Sequence, residues 1–245
     1  MPLRAGQDRG AIEGLAWPSS PDELVAVQRE LARLQAPELE LPGPDLTVGA
    51  CFASFSRGRS GRGRADEPAW AAAVLTRGRQ LIGSAVVTGA AGAPYEPGLL
   101  ALREGPLLEG VVKRLPAPDV LLVDATGRDH PRRAGLALHL GAVLGIATVG
   151  VTSRPLIAHG AWPGTERGSS SPLLLDTEIV GYWLRSRAGA RPIAVHAGWG
   201  TDPDDALRIA VWSLRRARTP QPIRLARRLA RLARAGLVPA SAADD

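Results

Sequence analysis

The sequence predicts an α/β protein in which an antiparallel meander and parallel βαβ strands form one mixed sheet flanked by helices. Three short apolar segments separated by turns, Thr47–Phe55, Trp70–Leu75 and Gln80–Val87, are typical of a meander. Two continuous apolar runs, Asp119–Val123 and Ile146–Val151, each follow a helical pattern, as buried parallel strands do. Because strands and helices alternate in this second part, we expect the helices to cover the sheet.

Helical periodicity and helix-start signals account for most of the remaining chain. Ser19 and Ser20 precede Pro21 and two acidic residues, which predicts a helix over 21–35. The other predicted elements are helices over Leu99–Leu115, His130–Leu144, Asp204–Arg216 and Pro222–Ala235, a strand over Pro192–His196, and a strand or helix over Leu173–Ser186. We expect one domain over 19–236, a loose segment over 1–18 and a frayed tail over 237–245.

The composition indicates a chain that buries a full core. Of its 245 residues, 45% are hydrophobic and 22% are charged, which excludes a disordered chain and most coiled coils. No run of 18 apolar residues and no apolar signal region occur, and Cys51 is the only cysteine. A cytoplasmic monomer without a membrane partner, without disulfides and without a cysteine-based zinc site is therefore expected.

Arginine carries almost all of the positive charge. Lysine and arginine number 30 together, and Lys113 is the only lysine. The guanidinium group suits phosphate recognition, but a GC-rich genome produces the same composition. The Arg57–Arg64 loop is either a flexible phosphate-binding segment or a solvated hairpin tip. In the last helix, Leu225, Leu229 and Leu232 share one face, and arginines occupy the others. Such a helix can bind a phosphate backbone through its arginines or lie on an anionic membrane. The third possibility, which we favour, is that the helix packs against the sheet and caps it.

Two carboxylates lie where open α/β sheets place their sites. Asp124 ends an apolar strand at its carboxyl end, and Glu104 lies early in the helix that precedes this strand. Two such carboxylates can share a Mg²⁺ ion, which prefers oxygen ligands. The competing interpretation is a helix N-terminal acid and a capping aspartate, and these two residues alone favour it.

Longer motifs around these carboxylates resemble the endonuclease V family. They are Pro94-Tyr95-Glu96-Pro97-Gly98, Leu102-Arg103-Glu104, Val123-Asp124-Ala125-Thr126-Gly127, His130-Pro131-Arg132-Arg133 and Ala147-Thr148-Val149-Gly150-Val151. The resemblance extends from about Thr47 to Leu229. It implies a ribonuclease-H-like fold and Mg²⁺-dependent phosphodiester hydrolysis near deoxyinosine in DNA or inosine in RNA.

The resemblance also implies roles for individual residues. The loop of Pro94, Tyr95, Glu96 and Pro97 corresponds to the wedge that unstacks the target base, with Tyr95 as an aromatic plate stiffened by the prolines. Glu96 replaces an aliphatic residue there and is expected to weaken binding. The remaining implied positions are Gly127, His130 and Arg132 for the substrate, Glu104 and Asp124 for catalysis and metal, and Asp204 as a further acid.

Three positions depart from the family pattern. Phe52 replaces the aspartate that ligates the metal, Ser153 replaces a lysine, and Trp199 replaces a histidine that approaches the attacking water. These losses predict that hydrolysis is impaired or absent. The alternatives are one metal held by Glu104, Asp124, Asp129 and Asp204 in an altered geometry, a non-catalytic nucleic-acid-binding homologue, and a module that keeps only the fold and binds a partner.

Overall fold

One mixed sheet organises the chain in the computed structural model, which describes residues 12, 14–34, 36, 43–56, 61–239 and 241–242. Its strands are β1 (Thr47–Phe55), β2 (Pro68–Arg77), β3 (Gln80–Ala90), β4 (Val120–Val123), β5 (Ala147–Thr152), β6 (Ser170–Leu175), β7 (Glu178–Leu184), β8 (Ile193–Ala197) and β9 (Ser241–Ala242). They lie in the order β6-β7-β8-β5-β4-β1-β2-β3-β9. The first three form the predicted antiparallel meander, and β1, β4 and β5 are parallel neighbours, also as predicted.

Among the described residues, five α-helices flank this sheet. They are α1 (Pro21–Leu31), α2 (Leu100–Val112), α3 (Leu136–Leu144), α4 (Pro203–Trp212) and α5 (Gln221–Arg234). At the start of α1, the Ser20 side chain accepts the backbone N–H of Glu23, so the predicted cap is present. The last helix packs on the sheet against β1 and β2, which confirms the capping role favoured for it.

Successive side chains of the central strands pack alternately into two hydrophobic cores, one on each face of the sheet. Cys51 of β1 and Val123 of β4 face α2 and α3, whereas Ala50 of β1 and Leu122 of β4 face α4 and α5. This is the period-two alternation expected of strands buried on both faces. It fixes which helix layer each side chain at the end of these strands meets.

Two predicted elements differ from the structure. The segment Leu173–Ser186 belongs to a hairpin of β6 and β7, turning at Asp176 with a φ of 58°. The helix predicted from His130 begins only at Leu136, because Arg133 has a φ of 56° and the chain before it runs as a loop. Because His130 lies in this loop and not in α3, its side chain can contact elements other than a helix neighbour.

The predicted boundaries of the domain stay a prediction. Residues 1–11 and 13 of the segment expected to be loose lie outside the described residues, as do 240 and 243–245 of the tail. Ile12 donates its N–H to the carbonyl of Ala142 at 3.1 Å. Within the described ranges, no helix is both long and apolar enough to cross a membrane.

A buried histidine makes the stability of this fold depend on pH. His139 of α3 is fully buried and its ring stacks on Trp17 at a centroid distance of 4.5 Å. Neither ring nitrogen has a hydrogen-bond partner among the described residues, and burial lowers the pKa of His139 to about 4. As pH falls below about 6.5, the unfolded chain takes up the proton first, so the folded state loses stability.

We therefore expect His139→Phe to resist acid better than the parent. The phenyl ring keeps the stacking on Trp17 and has no group that titrates. Relative to the parent, the free energy of unfolding of the variant should therefore be about 2 kcal/mol higher at about pH 5 than at about pH 7.5. Urea unfolding at both pH values measures this difference. The exposed His159→Phe variant is the control and should follow the parent. An unchanged pH dependence in His139→Phe would contradict the assignment.

Candidate active site

A cavity of about 780 Å³ opens at the carboxyl ends of β4 and β5. This is the edge where the sequence placed the site. Of the residues predicted for the site, seven line the cavity: Tyr95, Glu96, Pro97, Glu104, Asp124, His130 and Ser153. The loop 153–156, which follows β5, forms one wall, and Arg227 of α5 forms another.

Asp124 is held by an arginine from the last helix. Its Oδ2 atom accepts hydrogen bonds from Arg227 Nε at 3.1 Å and from Arg227 Nη2 at 2.7 Å. The side chains are 21% and 31% exposed, so this charge-assisted pair is largely shielded from water. A fixed positive charge therefore stands directly against the carboxylate that the sequence assigned to a metal.

Phe52 supports this arginine. It follows Cys51, which pairs with Val123, so Phe52 and Asp124 occupy equivalent positions on adjacent strands and face the same layer. The Phe52 ring centroid lies 5.5 Å from the Cζ atom of Arg227 and 5.9 Å from that of Arg231. An aromatic face attracts guanidinium groups, and Phe52 thus stabilises the cation beside Asp124.

Glu104 of α2 lines the main cavity and a smaller one of about 260 Å³ beside Phe52. Burial, together with the negative charge of Asp124, raises the pKa of Glu104 to about 8, and Arg103 opposes this shift. At neutral pH the carboxyl group is therefore mostly protonated. A neutral carboxylic acid can donate a hydrogen bond, and a cation placed between Glu104 and Asp124 would lower this pKa again.

His130 and Arg132, predicted to bind substrate, fix the loop expected to act as a wedge. The carbonyl of Gly98 accepts hydrogen bonds from Arg132 Nη2 at 2.8 Å and from His130 Nε2 at 3.0 Å. His130 Nδ1 accepts the backbone N–H of Arg132, so the proton resides on Nε2. Burial lowers the pKa of His130 to about 4, and the ring is neutral. Both residues thus position the rim of the cavity, and their role in binding substrate stays a prediction.

The wedge loop also meets the arginine-rich loop. The backbone N–H of Tyr95 donates to the carbonyl of Arg62 at 2.6 Å, and the Tyr95 side chain is 46% exposed. Residues 57–60 of the predicted Arg57–Arg64 loop lie outside the described residues. The described part, which includes Arg64, thus borders the same rim as the exposed tyrosine.

Asp129 holds the opposite wall. Its carboxylate is fully buried and accepts the backbone N–H groups of Leu156 at 2.6 Å, Ile157 at 3.0 Å and Ala158 at 2.7 Å. His196 Nδ1 lies 3.5 Å from the same carboxylate. Sequence reasoning considered Asp129 only as a metal donor, because nothing in the sequence pairs it with a loop 27 to 29 residues away.

Trp199 does not face the cavity. Its side chain is 2% exposed and packs with Leu31 of α1 and Leu138 of α3. The large apolar indole is buried under the helices, and the correspondence of Trp199 to the family's histidine stays a prediction. Asp204, the further acid, also lies outside the lining of the cavity and accepts the hydroxyl of Tyr182 at 2.6 Å.

Gly127 acts by close approach and not by lining the cavity. A Cβ atom at this position would overlap with the carbonyl oxygen of Ala197. Glycine therefore lets the loop after β4 lie against the end of β8. Gly127 thus positions this loop, and the substrate-binding role expected for it stays a prediction.

Comparison with known proteins places this arrangement in a family. Residues 45–228 match the family model of endonuclease V. The chain belongs to the endonuclease V family. An endonuclease V of Methanopyrus kandleri is 38% identical over 217 residues, which cover 87% of this chain and 89% of that protein.

Solved endonuclease V structures share the fold. That of Streptomyces avermitilis is 33% identical, covers 89% of this chain and 94% of its own, and has a TM-score of 0.78. The Ciona intestinalis endonuclease V, solved with a 24mer DNA containing an inosine, is 21% identical, covers 89% of this chain and 98% of its own, and has a TM-score of 0.74. These similarities confirm the ribonuclease-H-like fold of this chain.

The residues of this chain do not fit the Mg²⁺ ion that the family resemblance implies. Magnesium requires oxygen ligands in near-octahedral geometry. Phe52 offers none, and the Oδ2 atom of Asp124 is occupied by Arg227. Across the described ranges, no group of three or more His, Cys, Asp or Glu side chains is arranged to hold a metal. Of the altered set, Asp129 is bonded to the backbone of residues 156–158 and Asp204 to Tyr182, and neither lines the cavity with Glu104 and Asp124.

Arg227 is the functional residue that sequence reasoning missed. It lies 103 residues from Asp124 and is one of several arginines in α5, so the pattern of the helix does not single it out. One feature of the sequence could have indicated this residue. Phe52 replaces an acid of the family pattern, and α5 has an excess of arginine that could supply a partner for Asp124.

Proposed function

We propose that this endonuclease V homologue binds nucleic acid at a deaminated base and does not hydrolyse the strand by Mg²⁺ chemistry. The ion pair between Arg227 and Asp124, set against Phe52, carries this proposal. A guanidinium fixed on the carboxylate neutralises it, so that binding a divalent cation there requires breaking a shielded pair. We also propose a cytoplasmic location, since a chain with a single cysteine has none of the internal disulfides common in oxidising compartments.

The cavity keeps the features needed to bind a base. A volume of about 780 Å³ is in the range of small-molecule sites. Tyr95 presents an exposed aromatic ring at its rim, and stacking on such a ring contributes about 1–3 kcal/mol per base. Arg154 and Arg227 add positive charge to the wall where a phosphate would enter. The protonated Glu104 can donate a hydrogen bond inside the cavity.

We expect the parent to bind a single-stranded oligonucleotide with one inosine and to leave it intact. Fluorescence anisotropy measures binding, and denaturing gels of the same samples, incubated with Mg²⁺ or Mn²⁺, measure cleavage. Tyr95→Ala should weaken binding by about tenfold, because the stacking platform is lost. Trp162→Ala removes an aromatic ring that is 54% exposed outside the cavity, and serves as the matched control.

Two results would contradict the proposal. A metal-dependent product that disappears in Asp124→Asn would show a working nuclease. The absence of binding to both the inosine oligonucleotide and an adenine-containing one at low salt would leave only the fold-based, partner-binding alternative.

A further inference from the structure

The outer face of α5 carries a row of arginines. Its inner face is buried on the sheet through residues that include Ile223, Ala226 and Ala230. Arg224, Arg228 and Arg231 are exposed on the other side at spacings of four and three residues, so they succeed one another at about one helical turn, about 5.4 Å. Together with Arg227 and Leu232, they line a groove of about 360 Å³.

This row has no acidic counterpart. The helix Gln221–Arg234 contains neither aspartate nor glutamate. Among the described residues, no carboxylate forms an ion pair with Arg224, Arg228 or Arg231. Like charges one turn apart repel each other, and a polyanion lying along the groove relieves this repulsion. The charge of the groove therefore selects for a chain of phosphates.

The groove continues from the cavity. Arg227 lines both, with its guanidinium between Asp124 and the helix surface. Arg218 extends the same positive band to the far wall, where its Nη2 lies 3.4 Å from the carbonyl of Ser153. A strand whose base enters the cavity would thus leave over Arg227 and meet Arg231 and Arg228 in turn.

We infer that the outer face of α5 is a phosphate-binding groove for the backbone of a single nucleic-acid strand that leaves the cavity. This inference rests on the proposed function and adds to it a second binding surface. An anionic membrane would be the other ligand for a basic helix, but membrane insertion needs an apolar face. In α5 that face is buried on β1 and β2, so the strand is favoured.

The test is the salt dependence of binding to the inosine-containing single strand. Arg224→Gln with Arg228→Gln removes two exposed guanidinium groups without touching the pair at Asp124. Lys113→Gln with Arg114→Gln removes the same charge at the end of α2, on the opposite layer of the sheet. The slope of log affinity against log salt concentration is negative. We expect it to become shallower by about 1.4 in the first double variant and to stay at the parent value in the control. Between about 50 and 200 mM salt, the first variant should therefore lose about sevenfold less affinity than the parent.

Each alternative result is informative. Parent binding with equal slopes in both double variants would overturn the groove and leave the proposed function standing. A parent that binds neither the inosine strand nor an undamaged one would overturn both. Binding to phosphatidylglycerol vesicles that depends on Arg224 and Arg228, with strand binding unaffected, would overturn the groove in favour of a membrane surface. Circular dichroism of each variant confirms that the fold is intact.

Discussion

The double variant Phe52→Asp with Arg227→Gln is expected to gain a Mg²⁺-dependent rise in stability that the parent lacks. The aspartate would stand beside Asp124 on the adjacent strand, and the loss of the guanidinium would free the Asp124 oxygen. Without metal, the variant should be less stable than the parent by a few kcal/mol, because two carboxylates then face each other and the ring is lost. At a concentration of about 100 times its dissociation constant, Mg²⁺ should return about 2.7 kcal/mol.

Thermal unfolding with and without millimolar Mg²⁺ measures this gain. For a chain of this length, each kcal/mol corresponds to a Tm shift of about 2–4 °C. Phe52→Asn with Arg227→Gln is the matched control, since it removes the same two groups but adds a neutral amide. A Mg²⁺ response of equal size in this control, or in the parent, would show that the carboxylate at position 52 and the arginine do not decide metal binding.

Asp129→Ala is expected to lower the free energy of unfolding by about 3–5 kcal/mol. Three backbone N–H groups would lose a buried, charged acceptor, and the loop from Leu156 to Ala158 would lose its attachment. That is a large share of the 5–15 kcal/mol typical of a domain. Binding of the inosine strand should weaken as well, because Leu156 lines the cavity.

Urea unfolding of Asp129→Ala and Asp129→Asn separates charge from hydrogen bonding. The amide keeps one acceptor oxygen for the loop, so Asp129→Asn should be destabilised less than Asp129→Ala. A loss below about 1 kcal/mol in Asp129→Ala would mean that water or another acceptor replaces the carboxylate. In that case Asp129 would not be the residue that holds the wall.

Local pattern was sufficient for the sheet and for the position of the site. The apolar run before Asp124 predicts a buried strand with an acid at its carboxyl end, and the structure has both. The segment Leu173–Ser186 was ambiguous because its apolar residues suit a strand or a helix. In the structure it turns at Asp176, which has a left-handed backbone conformation, and so belongs to a hairpin. Because this position holds an aspartate and not a glycine, the sequence does not reveal the turn.

Contacts between distant segments were beyond the sequence. The direction of Trp199 depends on which side of the sheet the loop after β8 faces, and burial under α1 and α3 decides it. The pairing of Arg227 with Asp124 depends on where α5 docks, which its repeated arginine pattern leaves open. Motif matching therefore located the site, while the packing of α5 determines its chemistry.

The proposed replacement of the metal by a guanidinium is tested most directly by Mn²⁺ binding to the parent protein. Electron paramagnetic resonance reports the free ion, so a titration compares the parent, Asp124→Asn and buffer alone. We expect all three to give the same free Mn²⁺ signal at millimolar concentration, since Arg227 occupies the Asp124 carboxylate. Stoichiometric loss of the free signal in the parent, abolished in Asp124→Asn, would show that a metal displaces the arginine and would contradict the proposed loss of metal-dependent hydrolysis.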